Sequence, residues 1–244
     1  MTFEPFRIEG ETRPGRWLIT CDHATNTVPP EIGDLGLPPS DMARHIAYDP
    51  GAGAVARALG MHLDSPVVLS NFSRLVIDPN RGEDDPTLLM KLYDGSVIPG
   101  NRHAGPDERA RRVAAYWRPY HDTVARLAAR RADVAILSIH SFTPQLRGRP
   151  ARPWEIGILH ADDTRLADPL IARLRTEPGL CVGRNEPYTG YLPGDAIDRH
   201  ALQHGRQNAL IELRNDLIED RPGQQAWAAR LAPHLEAALA DADL

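Results

Sequence analysis

Cysteine is nearly absent from this 244-residue sequence; Cys21 and Cys181 are the only two. Two thiols cannot build a disulfide framework, and their scarcity suits a reducing cytoplasm. Long apolar runs are missing too. No stretch approaches the roughly 18 residues a membrane-spanning helix needs. The opening MTFEPFRIEGETRPGRW has no basic segment leading into an apolar one, so no secretory signal is expected. Positive charge is not in excess. The 28 basic and 33 acidic residues give a net charge of −5, which argues against nucleic acid as the main partner. Three catalytic patterns are also lacking: the G-x-S-x-G elbow, the phosphate-cradling G-x-x-x-x-G-K-[ST] loop and the H-E-x-x-H helix. Aromatics make up only 6% of the chain, but 42% hydrophobic and 25% charged residues describe an ordinary folded globular protein.

Glycine (19) and proline (22) are plentiful, so many shaped loops are expected. Ten histidines beside two cysteines leave a histidine–carboxylate metal site open. There is no internal repeat, low-complexity tract or Ser/Gly linker, and a single domain over residues 1–244 is expected.

Short apolar runs alternate with longer periodic segments. The pattern predicts strands at Arg16–Cys21, Pro66–Ser70, Arg74–Asp78, Asp133–Ile139, Glu155–His160, Leu180–Gly183 and Ala209–Leu213. Runs such as AILSI and ALIEL are nearly continuous, as strands covered on both faces read. Three- and four-residue spacing predicts helices at Gly53–Leu63, Asp107–Ala132, Thr164–Arg175 and Gln224–Ala240. Pro119 and Pro233 fall inside two of these, where a kink or break is expected. The alternation describes an α/β domain, a mostly parallel central sheet with helices on both faces. Active sites on such sheets gather where strands end and loops begin.

Several chemically capable groups stand at those ends. CDHATN (Cys21–Asn26) follows a strand. His23 suits a metal ligand, Asp22 a ligand or a carboxylate orienting an imidazole, and Asn26 a weak oxygen ligand. The plainer alternative is a polar turn. His140 ends the apolar run in SIHSFTP; a histidine satisfied by backbone is its ordinary explanation. Glu212 lies inside the apolar run of IELRND. A carboxylate there is costly unless paired. It is either an ion pair with Arg214, two residues away on the same face, or a partly buried general base with raised proton affinity. In SRLVIDPNR, Arg74 and Arg81 flank Asp78 and Asn80. Asn80 and Arg81 suit a substrate carboxylate, or else the arginines pair with the Glu83–Asp85 run. Asp49, before the glycine-rich YDPGAGA, either caps a helix or supplies a carboxylate to the site. Tyr188, in NEPYTGY, either donates a hydrogen bond to substrate or packs. His23, His140 and Glu212, each in or just after a separate apolar strand, together favour a metal-activated water hydrolase.

The ordered set CDHATN, HIAYDPGA, SRLVIDPNR, IPGN, PYH, SIHSFTP, RPWEIGIL, NEPY and IELRNDL resembles the N-formylglutamate amidohydrolase family from about Trp17 to Leu217. That family is itself similar to zinc carboxypeptidases and N-acyl amino acid deacylases. The resemblance implies a three-layer α/β/α fold of phosphorylase/hydrolase-like type with a mixed, mostly parallel sheet of about eight strands. It implies Zn²⁺, or another divalent metal, at His23 and His140, with Glu212 as general base. Asn80–Arg81 would grip a carboxylate, and Arg74 would stabilise the oxyanion. Zinc carboxypeptidases carry a glutamate where this chain has Asn26, so the third ligand is Asn26 itself or one of Asp22 and Asp49. The implied reaction is hydrolysis of a small-molecule N-acyl amino acid such as N-formylglutamate in cytoplasmic amino-acid metabolism, including histidine degradation. A carboxypeptidase-like peptide or cell-wall amidase, or a metal-free binding protein on the same scaffold, are the alternatives. Oligomeric state is not legible.

Overall fold

Unbroken burial along the central strands marks a sheet covered on both faces in this computed structural model, which describes residues 3–242. In chain order come β1 (Phe6–Glu9), β2 (Trp17–Cys21), α1 (Pro39–Met42), α2 (Ala52–His62), β3 (Val67–Ser70) and the hairpin β4 (Leu92–Tyr93) and β5 (Ser96–Val97). Then follow α3 (Pro106–Arg112), α4 (Arg118–Ala128), β6 (Ala135–Phe142), β7 (Ile156–Leu159), α5 (Ala167–Leu174), β8 (Val182–Arg184), α6 (Ala196–His200), β9 (Asn208–Arg214) and α7 (Arg221–Asp241). The main sheet has seven strands, against about eight expected, in the order β1-β3-β2-β6-β9-β7-β8. Strands β3, β2, β6 and β9 are parallel. β1 and β7 join this block antiparallel, on β3 and β9, and β8 runs parallel to β7.

Successive strand residues face opposite sides. Trp17, Ile19, Leu137, Ile139, Ala209 and Ile211 pack with residues of α2, α5 and α7. Leu18, Ile136 and Leu210 pack with residues of α4 and α6. Ser138, His140 and Glu212 share parity with this second set, so they belong to the α4–α6 face. Register places His140 opposite Glu212 on adjacent strands. Among the described residues no helix is long and apolar enough to cross a membrane.

Two expectations need correction. Arg74–Asp78 is not a strand but a series of turns. Leu75, Val76 and Ile77 are fully buried, so the apolar run is real. Side chains, not a neighbouring strand, take its carbonyls: Asn101 donates to Leu75 at 2.8 Å and Arg112 to Val76 at 2.8 Å. A short apolar run does not reveal which partner its backbone finds. Second, Asp107–Ala132 is divided. A wider π-type turn, Val113–Trp117, joins α3 to α4, with the Arg118 N–H donating five residues back to Val113. Pro119 has no N–H, and the widened turn places it in the first turn of α4, where none is needed. Helix α7, by contrast, runs through Pro233 without a break.

A buried histidine pair joins α4, α6 and the 78–81 loop. His121 Nε2 donates to the Pro79 carbonyl at 2.9 Å, which leaves its Nδ1 to accept from His200 Nε2 at 2.8 Å. The arrangement requires a neutral His121, and burial opposes charge on both rings. Burial pushes His121 down to about 3 and His200 down to about 4. The unfolded chain, with histidines near 6.5, binds protons that the fold refuses. Stability is therefore complete above about pH 6.5 and is lost as pH falls towards the folded values. Urea midpoints measured from pH 7 to 4.5 should drop steeply, and His200→Gln, which keeps a donor for His121, should flatten the slope. Parallel slopes would contradict this role.

Candidate metal centre and substrate cavity

The central strands bring the site together by order and register. β2 ends in Cys21, so Asp22 and His23 leave the sheet beside β6, whose His140 faces the same side. Asp49 arrives from the loop before α2. Its N–H donates to the His23 carbonyl at 2.9 Å. Gly51, at φ 80°, lets the chain turn into the helix, where a Cβ would lie 2.2 Å from the Ile218 carbonyl oxygen. Gly51, not Asp49, occupies the helix cap position, which frees the Asp49 carboxylate for the two imidazoles.

His23 Nδ1 is 3.2 Å and His140 Nδ1 is 2.9 Å from Asp49 Oδ2. One ligand atom from each of the three residues lies within 4.8 Å of the others. The opposite ring nitrogens are held by two more carboxylates. His23 Nε2 meets Asp78 Oδ1 at 2.7 Å, and His140 Nε2 meets Asp22 Oδ2 at 3.2 Å. Tyr120 and Ser138 hydroxyls donate to Asp22 at 2.5 and 3.4 Å, and Arg74 Nη2 donates to Asp78 at 2.8 Å. A carboxylate behind each imidazole fixes the Nε2–H tautomer, so Nδ1 presents its lone pair.

His23, His140, Asp22, Asp49 and Asp78 are all buried. Burial opposes charge on His140, but hydrogen bonds to Asp22 and Asp49 hold its proton affinity well above the usual imidazole range. Burial likewise opposes charge on Asp49, yet the facing histidines hold it below the carboxylate range. With neutral imidazoles, three carboxylates against the Arg74 guanidinium leave two negative charges, which one divalent cation would cancel. Two imidazole nitrogens and a carboxylate oxygen fit zinc with an open position.

Glu212 does not form the ion pair with Arg214. Arg214 pairs instead with Asp216 at 2.8 Å, and Glu212 Oε2 is buried without a hydrogen bond. Burial pushes Glu212 up to about 7. It lines a cavity of about 280 Å³ together with His23, Asp49, His140, Arg74, Asn80, Arg81 and Tyr188. Arg81 does not pair with the acidic run. It donates to Thr87 and to the Asn80 carbonyl and faces the cavity. The Tyr188 hydroxyl accepts from Arg152 at 3.2 Å.

Asn26 is the expectation that the structure overturns. Its amide nitrogen donates to the Met42 carbonyl at 2.8 Å, and it does not line the cavity. Of the two candidate replacements, Asp49 joins the histidines and Asp22 stands behind His140. Asp78, Tyr120 and Ser138 carry no role in the sequence reading. Only the Asp-Pro-Asn turn signal, with Asn80 N–H donating to Asp78 Oδ1, marks the first of them.

Residues 15–219 match the model of the family described as N-formylglutamate amidohydrolase. The chain belongs to this family. It is 30% identical over 220 residues to N-formylglutamate deformylase of Pseudomonas putida, covering 80% of this chain and 78% of that protein. The enzyme of the same name from Pseudomonas aeruginosa is 29% identical, covering 72% and 73%. Among solved structures, a gene product of Agrobacterium tumefaciens matches with a TM-score of 0.94 at 38% identity, covering 99% of this chain and 97% of that one. N-formylglutamate amidohydrolase of Ralstonia eutropha shares the family's fold at 23% identity, with a TM-score of 0.70 over 96% and 97% of the two chains.

Asp22→Asn tests the centre. With its oxygen kept for Tyr120, the new amide turns N–H groups towards His140 Nε2 and forces the proton to Nδ1, the ligand atom. Zinc affinity, measured by chelator competition, should fall roughly 10–100-fold with the fold retained. Unchanged affinity would place the metal elsewhere.

Proposed function

We infer that the protein is a metal-dependent amidohydrolase that removes a formyl or other small acyl group from the nitrogen of an amino acid. The observation that carries this reading is the convergence of His23, His140 and Asp49 beside a buried, unpaired Glu212 in one cavity. Membership of a family whose curated members are named for deformylation supports it.

His23, His140 and Asp49 would hold the metal. Zinc there would supply Lewis acidity, polarising the amide carbonyl and lowering the pKa of a water to about 7. Glu212 takes the proton of the attacking water and returns it to the departing amine nitrogen; its raised proton affinity suits both transfers. Arg74, whose Nε is buried without a partner, faces the developing oxyanion. Arg81, with Asn80, holds the α-carboxylate and so positions the scissile carbonyl. Tyr188 closes the cavity from the 185–192 loop. The reading extends to a small-molecule partner and a cytoplasmic location, the latter supported by two unpaired cysteines, Cys21 and Cys181.

Glu212→Gln should lower kcat on N-formyl amino acids by about 10²–10⁴-fold, with metal content and circular dichroism unchanged. Arg81→Ala should raise KM by about tenfold or more, at preserved metal content, for loss of a charged hydrogen bond. Wild-type turnover by Glu212→Gln would overturn the mechanism.

A further inference from the structure

We propose that the amino-acid part of the substrate carries an apolar side chain, seated against Leu159, Leu192 and Leu210, and that dicarboxylic substrates such as N-formylglutamate are disfavoured. This rests on the reading above and names its substrate class.

Arg74 and Arg81 are the arginines lining the cavity among the described residues, and no lysine lines it. Arg74 gives its two Nη atoms to Asp49 and Asp78, and its Nε serves the oxyanion in the mechanism above. One arginine, Arg81, therefore remains for one carboxylate. Arg102, Arg147, Arg149 and Arg184, which sequence reading leaves available for a second, do not line the cavity; Arg184 pairs with Asp168. Arg152 is stacked 5.0 Å from the Tyr188 ring centroid, with one nitrogen shared between Thr143 and Tyr188, and it too is outside the lining. His45 lines the cavity, but its Nε2 lies 3.6 Å from Asp94, and burial lowers its proton affinity.

On the side of Glu212 away from the two histidines the wall is apolar. Register places Leu159 opposite Leu210 and Gly157 opposite Glu212, so both leucines share the face of the base, one strand repeat away. Leu192 and the Tyr188 ring reach the same cavity from the 185–192 loop. That loop sits close because Gly157 has no side chain: a Cβ there would lie 1.9 Å from the Glu186 carbonyl oxygen. The remaining carboxylate of the wall is Asp195, buried at the start of α6 and accepting from the Asp198 N–H at 2.7 Å. It offers a second carboxylate repulsion, not a partner.

The zinc-loaded enzyme should be assayed on N-formyl-leucine, -methionine, -phenylalanine, -glutamate and -aspartate, and binding of N-acetyl-leucine and N-acetyl-glutamate measured by calorimetry. We expect kcat/KM and affinity for the apolar members to exceed those for the dicarboxylic ones by at least about tenfold. Leu192→Arg, at a half-buried position, should raise the glutamate-to-leucine ratio by about tenfold. Tighter N-acetyl-leucine binding without any hydrolysis would sustain this inference while defeating the proposed reaction. Equal, absent or glutamate-favouring binding, a glutamate-favouring kcat/KM, or an unmoved ratio in Leu192→Arg would overturn it.

Discussion

Burying Asp22, Asp49 and Asp78 together is the constraint to which the rest of the site answers. An unpaired carboxylate in a protein interior costs several kcal/mol, and here three lie within reach of two imidazoles. Each is compensated differently. Asp78 meets Arg74 and His23, and Asp22 meets Tyr120, Ser138 and His140. Asp49 has the two Nδ1 atoms, the Ser141 N–H at 3.3 Å and, at the long distance of 3.5 Å, Arg74 Nη1. Without a metal, a proton on an imidazole must serve. With one, both rings are neutral and the charge closes. The outer carboxylates thus decide which nitrogen of each ring is the ligand, and a site that looks overcharged becomes a divalent-cation site.

That arrangement depends on parallel strands in the order β2-β6-β9. His140 and Glu212 are distant in sequence but opposite each other in register, so the ligand and the base need no long side-chain reach. The loops do the rest. The 75–81 segment is held by Asn101, Arg112 and His121 through the carbonyls of Leu75, Val76 and Pro79. The 185–192 loop reaches the sheet where Gly157 leaves room. Buried polar side chains in place of strand ladders make the cavity wall rigid without making it regular.

Much of this was legible in the sequence, for identifiable reasons. AILSI and ALIEL read as covered strands because both faces of the sheet are packed, and His140 and Glu212 stand out against that apolar background. Asp49 was one of two readings, and neither spacing nor composition chose between them; the choice is made by Gly51 taking the cap. Asn26 misled because a neighbouring helix carbonyl, Met42, claims its amide. Asp78 was hidden by LVI, whose burial mimics a strand while its carbonyls go to Asn101 and Arg112. Its role depends on Arg74 and His23 arriving from elsewhere, which no local pattern records.

The most direct test of the account is a zinc-soaked crystal examined at the zinc absorption edge. It should give one anomalous peak about 2.0–2.2 Å from His23 Nδ1, His140 Nδ1 and an Asp49 carboxylate oxygen, with Asp22 and Asp78 on the far ring nitrogens and off the metal. A peak coordinated by Nε2 atoms, by Asn26 in place of Asp49, or at another place in the molecule would contradict it.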